Sequence, residues 1–134
     1  MKKIILSLLL VSQSLLADIS VEDYQGTNIV LTQPAQRIIG LSPHVVENIY
    51  SAGAGDKLVG VMAYSNFPKA AAKRPVVGDY SRINYELMTA LKPDLIVAWN
   101  SGRQLEAAIK LRDLGFTVYV DDPHRLEDVP RSIR

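Results

Sequence analysis

Short apolar runs alternate with amphipathic stretches along most of the chain, which is the pattern of strands that alternate with helices. Two half-apolar runs, 19–24 and 28–31, flank the glycine-centred turn Gln25-Gly26-Thr27 and predict a β-hairpin near the start. Four apolar strands are predicted after this hairpin. They lie at 37–41, 58–62, 94–99 and 117–120.

Capping residues mark the helices between these strands. Ser42 offers a side-chain cap and Pro43 suits a first helical turn, so a helix is predicted over 43–52. Asn84 caps a second helix, which is predicted to run to Leu91. A third helix is predicted over 104–114. It carries apolar residues at helical spacing, which we expect to face the core: Leu105, Ala108, Ile109 and Leu111.

Strands that alternate with helices predict an α/β fold, with a parallel sheet of roughly four strands and helices on both faces. Such sheets bind ligands beyond the carboxyl ends of their strands. Aromatic and neutral polar residues follow those ends here, and we expect ligand contacts from Tyr64, Ser65, Tyr80, Trp99 and Asn100. Flat rings and polar groups together suit a large ligand with apolar faces and a polar periphery. For Tyr64 and Tyr80 taken alone, packing near a strand end comes before ligand binding as the interpretation.

The first seventeen residues have the layout of a secretory signal peptide. Lys2 and Lys3 precede the apolar run 4–11, and a small residue, Ala17, follows a more polar stretch. The run is too short to span a bilayer. We therefore expect cleavage after Ala17 and export of residues 18–134, the alternative being a buried N-terminal helix.

Composition excludes several classes of function. The 134 residues carry 15 Lys and Arg against 14 Asp and Glu, so the basic stripe that a nucleic acid would need is missing. The absence of cysteine excludes disulfides, thiolate metal sites and a thiol nucleophile. Gly53-Ala54-Gly55 follows a predicted helix and precedes a strand, the reverse of a dinucleotide-binding loop.

Two histidines and two aspartates could in principle meet at the carboxyl edge as a metal site. His44 and His124 would combine with Asp121 or Asp122. These residues lack the spacing typical of metal ligands, so we predict solvated loop histidines and no metal.

An enzyme is the main alternative from another functional class. Ser42 or Ser65 with His44 or His124 and Asp121 would make a small secreted α/β hydrolase. A serine within hydrogen-bond reach of a histidine that a carboxylate orients would distinguish it. Ser42 is interpreted first as a helix cap. A third possibility is a protein-binding domain, in which the aromatic side chains would turn inward.

Five segments carry a resemblance to a known family. The segments are Arg37-Ile38-Ile39-Gly40-Leu41-Ser42-Pro43, Val59-Gly60-Val61, Tyr64-Ser65-Asn66-Phe67-Pro68, Asn84-Tyr85-Glu86 and Ala90-Leu91-Lys92-Pro93-Asp94-Leu95-Ile96-Val97-Ala98-Trp99. In these segments the sequence resembles the cobalamin-binding members of the helical-backbone class of periplasmic binding proteins, a class that also binds iron-siderophores and haem.

The resemblance implies a monomeric periplasmic protein without catalytic activity or cofactor, which delivers cobalamin as a transported ligand to an inner-membrane permease and its ATPase. It implies ligand contacts from Tyr64, Trp99 and Tyr80, where Tyr80 stands in place of a tryptophan, and permease docking by Glu86. Iron-siderophore or haem is the alternative ligand. Few cations lie near the predicted site, Arg82 and Arg103 being the nearest in sequence, and this favours cobalamin.

Members of this class have a second lobe, which a long helix joins to the first. The residues from about Leu126 onward resemble the start of that helix. The sequence is therefore expected to represent an N-terminal lobe, as a fragment or as the product of a truncated gene. One lobe covers only one side of a ligand, so weak binding is expected.

Overall fold

The computed structural model of the chain describes residues 18–124 and residue 128. The predicted signal peptide, 1–17, and the predicted start of a connecting helix from Leu126 lie outside the described residues. Within the described ranges, no helix has both the length and the apolar character needed to cross a membrane.

The described residues form two sheets and three α-helices. The strands are β1 (Ile19–Glu22), β2 (Asn28–Leu31), β3 (Ile38–Gly40), β4 (Leu58–Met62), β5 (Val76–Gly78), β6 (Leu95–Trp99) and β7 (Val118–Asp121). The helices are α1 (Pro43–Ser51), α2 (Tyr85–Ala90) and α3 (Gly102–Asp113), with single 3₁₀ turns at Gly55–Lys57 and Ala71–Lys73.

The main sheet is entirely parallel, with strand order β5-β4-β3-β6-β7, and β1 pairs with β2 as an antiparallel hairpin. The predicted α/β fold is confirmed. The sheet has one strand more than the four predicted, because Val76–Gly78 pairs in parallel with β4. Three residues between Pro75 and the turn at Asp79 are too short for a periodic signal in the sequence.

Helices cover both faces of this sheet, as predicted. Neighbouring residues of β3 point to opposite faces, so Ile38 packs with α1 and Ile39 packs with α2 and α3. The α1 face includes Val45, Val46, Leu58 and Val61, and the α2–α3 face includes Met88, Ile96, Ala108 and Leu111. The caps predicted at Ser42 and Asn84 are present, since each side chain accepts a hydrogen bond from a backbone N–H of the following turn.

The buried stripe of α3 differs from the one expected. The helix begins at Gly102, and its buried residues are Gln104, Ala107, Ala108 and Leu111. Ile109, which was expected in the core, is 51% exposed, so that expectation was wrong. The four buried positions have the spacing i, i+3, i+4, i+7 of one helical face. A prediction based on the hydrophobicity of the residues does not choose this face, because one of its four residues is glutamine.

A buried carboxylate attaches the hairpin to the main sheet. Asp23, whose side chain is fully buried, accepts hydrogen bonds from the backbone N–H groups of Gln25, Thr27 and Val120 and forms an ion pair with Arg112. The Tyr24 N–H also donates to the Val120 carbonyl, at 3.1 Å. This single carboxylate therefore holds together the hairpin turn, α3 and β7.

Replacing Asp23 tests this attachment. Asp23→Ala would leave three backbone N–H groups without their acceptor and the partly buried Arg112 guanidinium without its counter-charge, although Arg112 keeps its bonds to Val118 and Gln25. We expect the free energy of unfolding, measured by urea denaturation, to fall by about 3 kcal/mol.

Asp56→Ala is the matched control, because Asp56 pairs with Lys57 at an exposed site. Its expected cost is below about 0.5 kcal/mol. Equal losses in the two variants would show that the Asp23 cluster does not hold the hairpin.

Candidate functional site

The candidate site is the edge of the main sheet at which all five strands end. Because the strands are parallel, their carboxyl ends share this edge, and their order places the following residues along it. Tyr80 follows β5, Tyr64 follows β4, Ser42 follows β3, Trp99 ends β6 and Asp121 ends β7. The three rings predicted to contact ligand therefore belong to one edge.

Tyr64 combines an exposed ring with an unusual backbone. The residue is 75% exposed and has a φ of 67°, in the left-handed region that side chains other than glycine rarely adopt. A tight turn holds it there, in which the Asn66 N–H donates to the Tyr64 carbonyl at 2.9 Å. A ring exposed to this extent does not pack against the strand end, which was the other interpretation of Tyr64.

Ser65, the polar neighbour of Tyr64, is buried. Its hydroxyl has no hydrogen-bond partner among the described residues. Tyr64 and Ser65 line one cavity of about 170 Å³. The structure thus brings these two predicted residues together, with the ring exposed to solvent and the hydroxyl beneath the surface.

Trp99 contacts His44 at the centre of the edge. The two rings meet edge to face, with centroids 5.0 Å apart and an interplanar angle of 83°. The Ser42 Oγ lies 3.1 Å from Nδ1 of His44. Burial lowers the pKa of His44 from its ordinary value of 6.5, and this effect outweighs the charges of Asp121 and Glu47, which raise it.

The Ser42–His44 pair meets one criterion of the alternative hydrolase. However, Ser42 is only 1% exposed, and its Oγ also accepts the Val45 N–H as the cap of α1. A nucleophile has to reach its substrate, so this geometry indicates a structural serine. Ser65 does not meet the criterion, because its hydroxyl has no hydrogen-bond partner among the described residues and therefore no histidine beside it.

Asn100 contacts protein groups with both ends of its amide. Its Nδ2 donates to Oδ2 of Asp122 at 2.6 Å, and its Oδ1 accepts from Nε2 of Gln25 at 3.4 Å. The same Asp122 oxygen lies 2.9 Å from Nε2 of His124. Over 18–124 and 128, no group of three or more His, Asp or Glu side chains could hold a metal ion.

Tyr80 opens onto a separate and larger cavity of about 600 Å³, between the loop after β5 and the start of α3. Neither Tyr64 nor Trp99 lines it. Sequence reasoning missed Tyr85, Gln104 and Lys110 as lining residues, because they lie within helices and away from strand ends. The remaining polar or aromatic lining residues are Asp79, Tyr80, Ser81, Arg82, Ser101, Arg103 and Glu106.

Glu86, the predicted docking residue, is exposed in the first turn of α2. It borders a further cavity of about 680 Å³, along the outer strand β5. Its carboxylate is therefore accessible to a partner at the β5 side of the edge.

The parallel sheet and the helices on both faces define an α/β lobe, with the candidate site at its aromatic carboxyl edge. The sequence profile of the periplasmic binding protein family matches residues 38–133, which is more than half of the chain. The chain belongs to the periplasmic binding protein family, and the resemblance stated from the sequence is confirmed.

Curated relatives are more specific. The Vitamin B12-binding protein of Vibrio cholerae serotype O1 is 45% identical over 100 residues, which cover 75% of this chain and 36% of that protein. The Vitamin B12-binding protein of Yersinia pestis is 44% identical over 107 residues, with coverages of 78% and 38%. This chain therefore spans little more than a third of the length of these relatives.

Solved structures show the same lobe. The periplasmic vitamin B12 binding protein BtuF of Vibrio cholerae superposes with a TM-score of 0.70 at 44% identity, covering 74% of this chain and 39% of that one. The heme binding protein HmuT superposes with a TM-score of 0.72 at 25% identity, covering 88% and 39%.

Lowering the pH tests the buried state of His44. Because the folded protein disfavours imidazolium, the unfolded chain binds this proton at higher pH than the folded chain does. The His44 contribution to stability is thus present above pH 6.5 and decreases as the pH falls below it. Between pH 7.5 and 5, wild type should lose more unfolding free energy than His44→Gln, as measured by urea denaturation at each pH. Parallel pH profiles would contradict this account.

Proposed function

We propose that this chain captures cobalamin in the periplasm and presents it to an ATP-driven importer in the inner membrane. The observation that carries the proposal is the set of rings at one sheet edge, with Tyr64 exposed in a left-handed turn and Trp99 fixed by His44. The relatives named as Vitamin B12-binding proteins support the choice of ligand.

The edge suits a corrinoid in shape and chemistry. A corrin ring has broad apolar faces, on which aromatic side chains supply buried area, and amide groups at its periphery. Asn100 and Ser65 are the polar groups that we assign to that periphery. Asn100 would exchange its weaker hydrogen bond, to Gln25 at 3.4 Å, for a ligand amide.

These residues form one side of a complete binding site. A pocket usually covers about 70 to 90% of a ligand's surface. The chain matches little more than a third of its relatives' length, so we expect it to cover one face of cobalamin and to bind with lower affinity than those relatives.

Haem or an iron-siderophore is the second candidate ligand, and one observation favours it. Three cationic side chains, Arg82, Arg103 and Lys110, line the cavity at Tyr80. An anionic metal chelate would find charge complementarity there. The same binding measurements with haem decide between the two ligands.

Tryptophan fluorescence tests the proposal directly, because Trp99 is the single tryptophan of the chain. Cobalamin absorbs at the emission wavelengths of tryptophan, so binding over Trp99 should quench the fluorescence saturably. Trp99→Ala should weaken cobalamin binding, measured by isothermal titration calorimetry, by about 2 kcal/mol, roughly thirtyfold in Kd.

Leu114→Ala is the control for Trp99→Ala, because Leu114 is an exposed apolar residue just beyond the carboxyl end of α3, away from the edge. It should leave the affinity unchanged. Equal affinities of wild type and Trp99→Ala would reject the site. Hydrolysis of a chromogenic ester without any quenching would favour an enzyme instead.

Glu86 is proposed to dock on the importer through its charge. Glu86→Ala should weaken binding to a cobalamin permease–ATPase complex in lipid nanodiscs by about two- to fivefold, as expected for one exposed ion pair. Glu86→Arg should weaken it further, and the effect should shrink at high salt. Affinity for free cobalamin should not change in either variant.

Asp113→Ala provides the control for Glu86, because Asp113 is an exposed carboxylate at the far end of α3. This variant should dock as wild type does. If Glu86→Arg also docked as tightly as wild type, the assignment of Glu86 would be wrong.

A further inference from the structure

The cavity at Tyr80 is bounded by the amino end of α3. This helix has 12 residues, and the side chain of its N-cap residue, Ser101, makes no capping hydrogen bond. The first N–H groups of a helix need acceptors, and the helix dipole favours negative charge at that end. The lining of the cavity includes Ser101, Gly102 and Arg103, the residues where α3 starts.

A second and independent feature of this cavity is Gln104. The residue is only 5% exposed, it lines the cavity, and its Nε2 has no hydrogen-bond partner among the described residues. A buried amide N–H₂ without an acceptor is costly, so such groups in folded proteins indicate a missing partner. The missing partner must be an acceptor, as an oxyanion is.

The charged residues of the cavity favour the same kind of partner. Arg82, Arg103 and Lys110 outnumber Asp79 and Glu106 among its lining residues. Arg103 donates to the Ser81 carbonyl at 2.9 Å, and the Lys110 ammonium lies 4.2 Å from the centre of the Tyr85 ring.

One oxygen of the Asp79 carboxylate is bound within its own loop. Its Oδ1 accepts from the N–H and the hydroxyl of Ser81 and from the N–H of Arg82, and these bonds lower the pKa of Asp79. Asp79 therefore stabilises the turn that contains Arg82. Arg82 is exposed and lines the cavity.

We propose that this cavity is an oxyanion subsite, in which Gln104, Arg82 and the first turn of α3 receive a phosphate or carboxylate group of the ligand. The inference rests on the proposed function, since the oxyanion belongs to the ligand held at the aromatic edge. Tyr80 lines the cavity and Trp99 precedes Ser101 by two residues, so one large ligand can contact both regions.

Both candidate ligands carry an oxyanion, but in different chemical groups. Cobalamin carries one phosphodiester in its nucleotide arm, and haem carries two carboxylates. Cobinamide has the corrin ring without the phosphodiester, and haem dimethyl ester has the porphyrin ring with its carboxylates blocked. Each pair therefore differs at the oxyanion, and the cobalamin pair differs also in the ribose and benzimidazole that follow it, so the cavity variants below are needed to assign a preference to the oxyanion.

Calorimetric titration of both pairs into the chain tests the subsite. For the ring that binds, wild type should prefer the member with the free oxyanion by about tenfold in Kd, a typical value for a charge-assisted hydrogen bond. Gln104→Leu and Arg82→Gln should each reduce this preference to about twofold or less. Each variant should lose affinity for the member with the oxyanion and should bind the member without it as wild type does.

Lys73→Gln is the matched control, because Lys73 is an exposed cation in the 3₁₀ turn Ala71–Lys73 and does not line the cavity. It should keep the full preference. Arg82 is exposed, so Arg82→Gln preserves the core if Gln104→Leu fails to fold.

The outcomes separate this inference from the proposed function. Binding of a ring without any preference for its oxyanion, or a preference that both cavity variants retain, overturns the subsite and leaves the proposed function standing. If none of the corrinoids and porphyrins binds, the proposed function is rejected. Binding of inorganic phosphate, followed by NMR, then tests the subsite by itself. Phosphate should shift the Gln104 side-chain amide resonance saturably in wild type and not in Arg82→Gln, whereas no shift beyond that caused by chloride overturns the inference.

Discussion

Parallel pairing of the central strand β3 with both β4 and β6 is the constraint on which the candidate site depends. It gives the three central strands one direction, and β5 and β7 pair in parallel outside them, so that residues far apart in sequence emerge at one edge. Gly40, at the end of β3, makes the arrangement possible, because a Cβ there would lie 2.7 Å from Cγ2 of Val46. Close packing of α1 on β3 thus positions Ser42 and His44 beside Trp99.

Three departures from the usual rules of folding lie near this edge, and a fourth, the left-handed backbone of Lys92 (φ 47°), lies before β6 at the opposite edge. Tyr64 has a left-handed backbone, and Ser65 and Gln104 bury polar atoms that have no partner in the part of the chain described. The third such atom is the hydroxyl of Tyr50 in α1. The ring of Tyr50 packs against Gly55. Natural sequences break local rules mainly where function requires it, so the shared position of Tyr64, Ser65 and Gln104 supports a binding role for the edge.

The sequence predicted those features that depend on local chemistry. Helix caps at Ser42 and Asn84 and the glycine turn of the hairpin need only neighbouring residues, and all are present. Strand β5 was missed because its three residues gain their structure from pairing with β4. The buried stripe of α3 was missed because Gln104 is polar, and its burial depends on tertiary packing that no local pattern shows. Which rings share a cavity is likewise a tertiary property, and Tyr80 proved separate from Tyr64 and Trp99 in that respect.

The charges along the edge also determine how a ligand would lie on it. Arg82 and Arg103 lie at the β5 side, whereas Asp121, the last residue of β7, and Asp122 lie at the other side. Between them, burial lowers the pKa of His44, so this ring adds no charge at neutral pH. A flat body without negative charge on its ring and with one anionic group at its periphery matches this order, with the anion directed toward Tyr80. The corrin of cobalamin, with its amide periphery and single phosphodiester, has that distribution of charge. A porphyrin, by contrast, would have to direct both of its carboxylates to the β5 side, because the aspartates that follow β7 would repel either one.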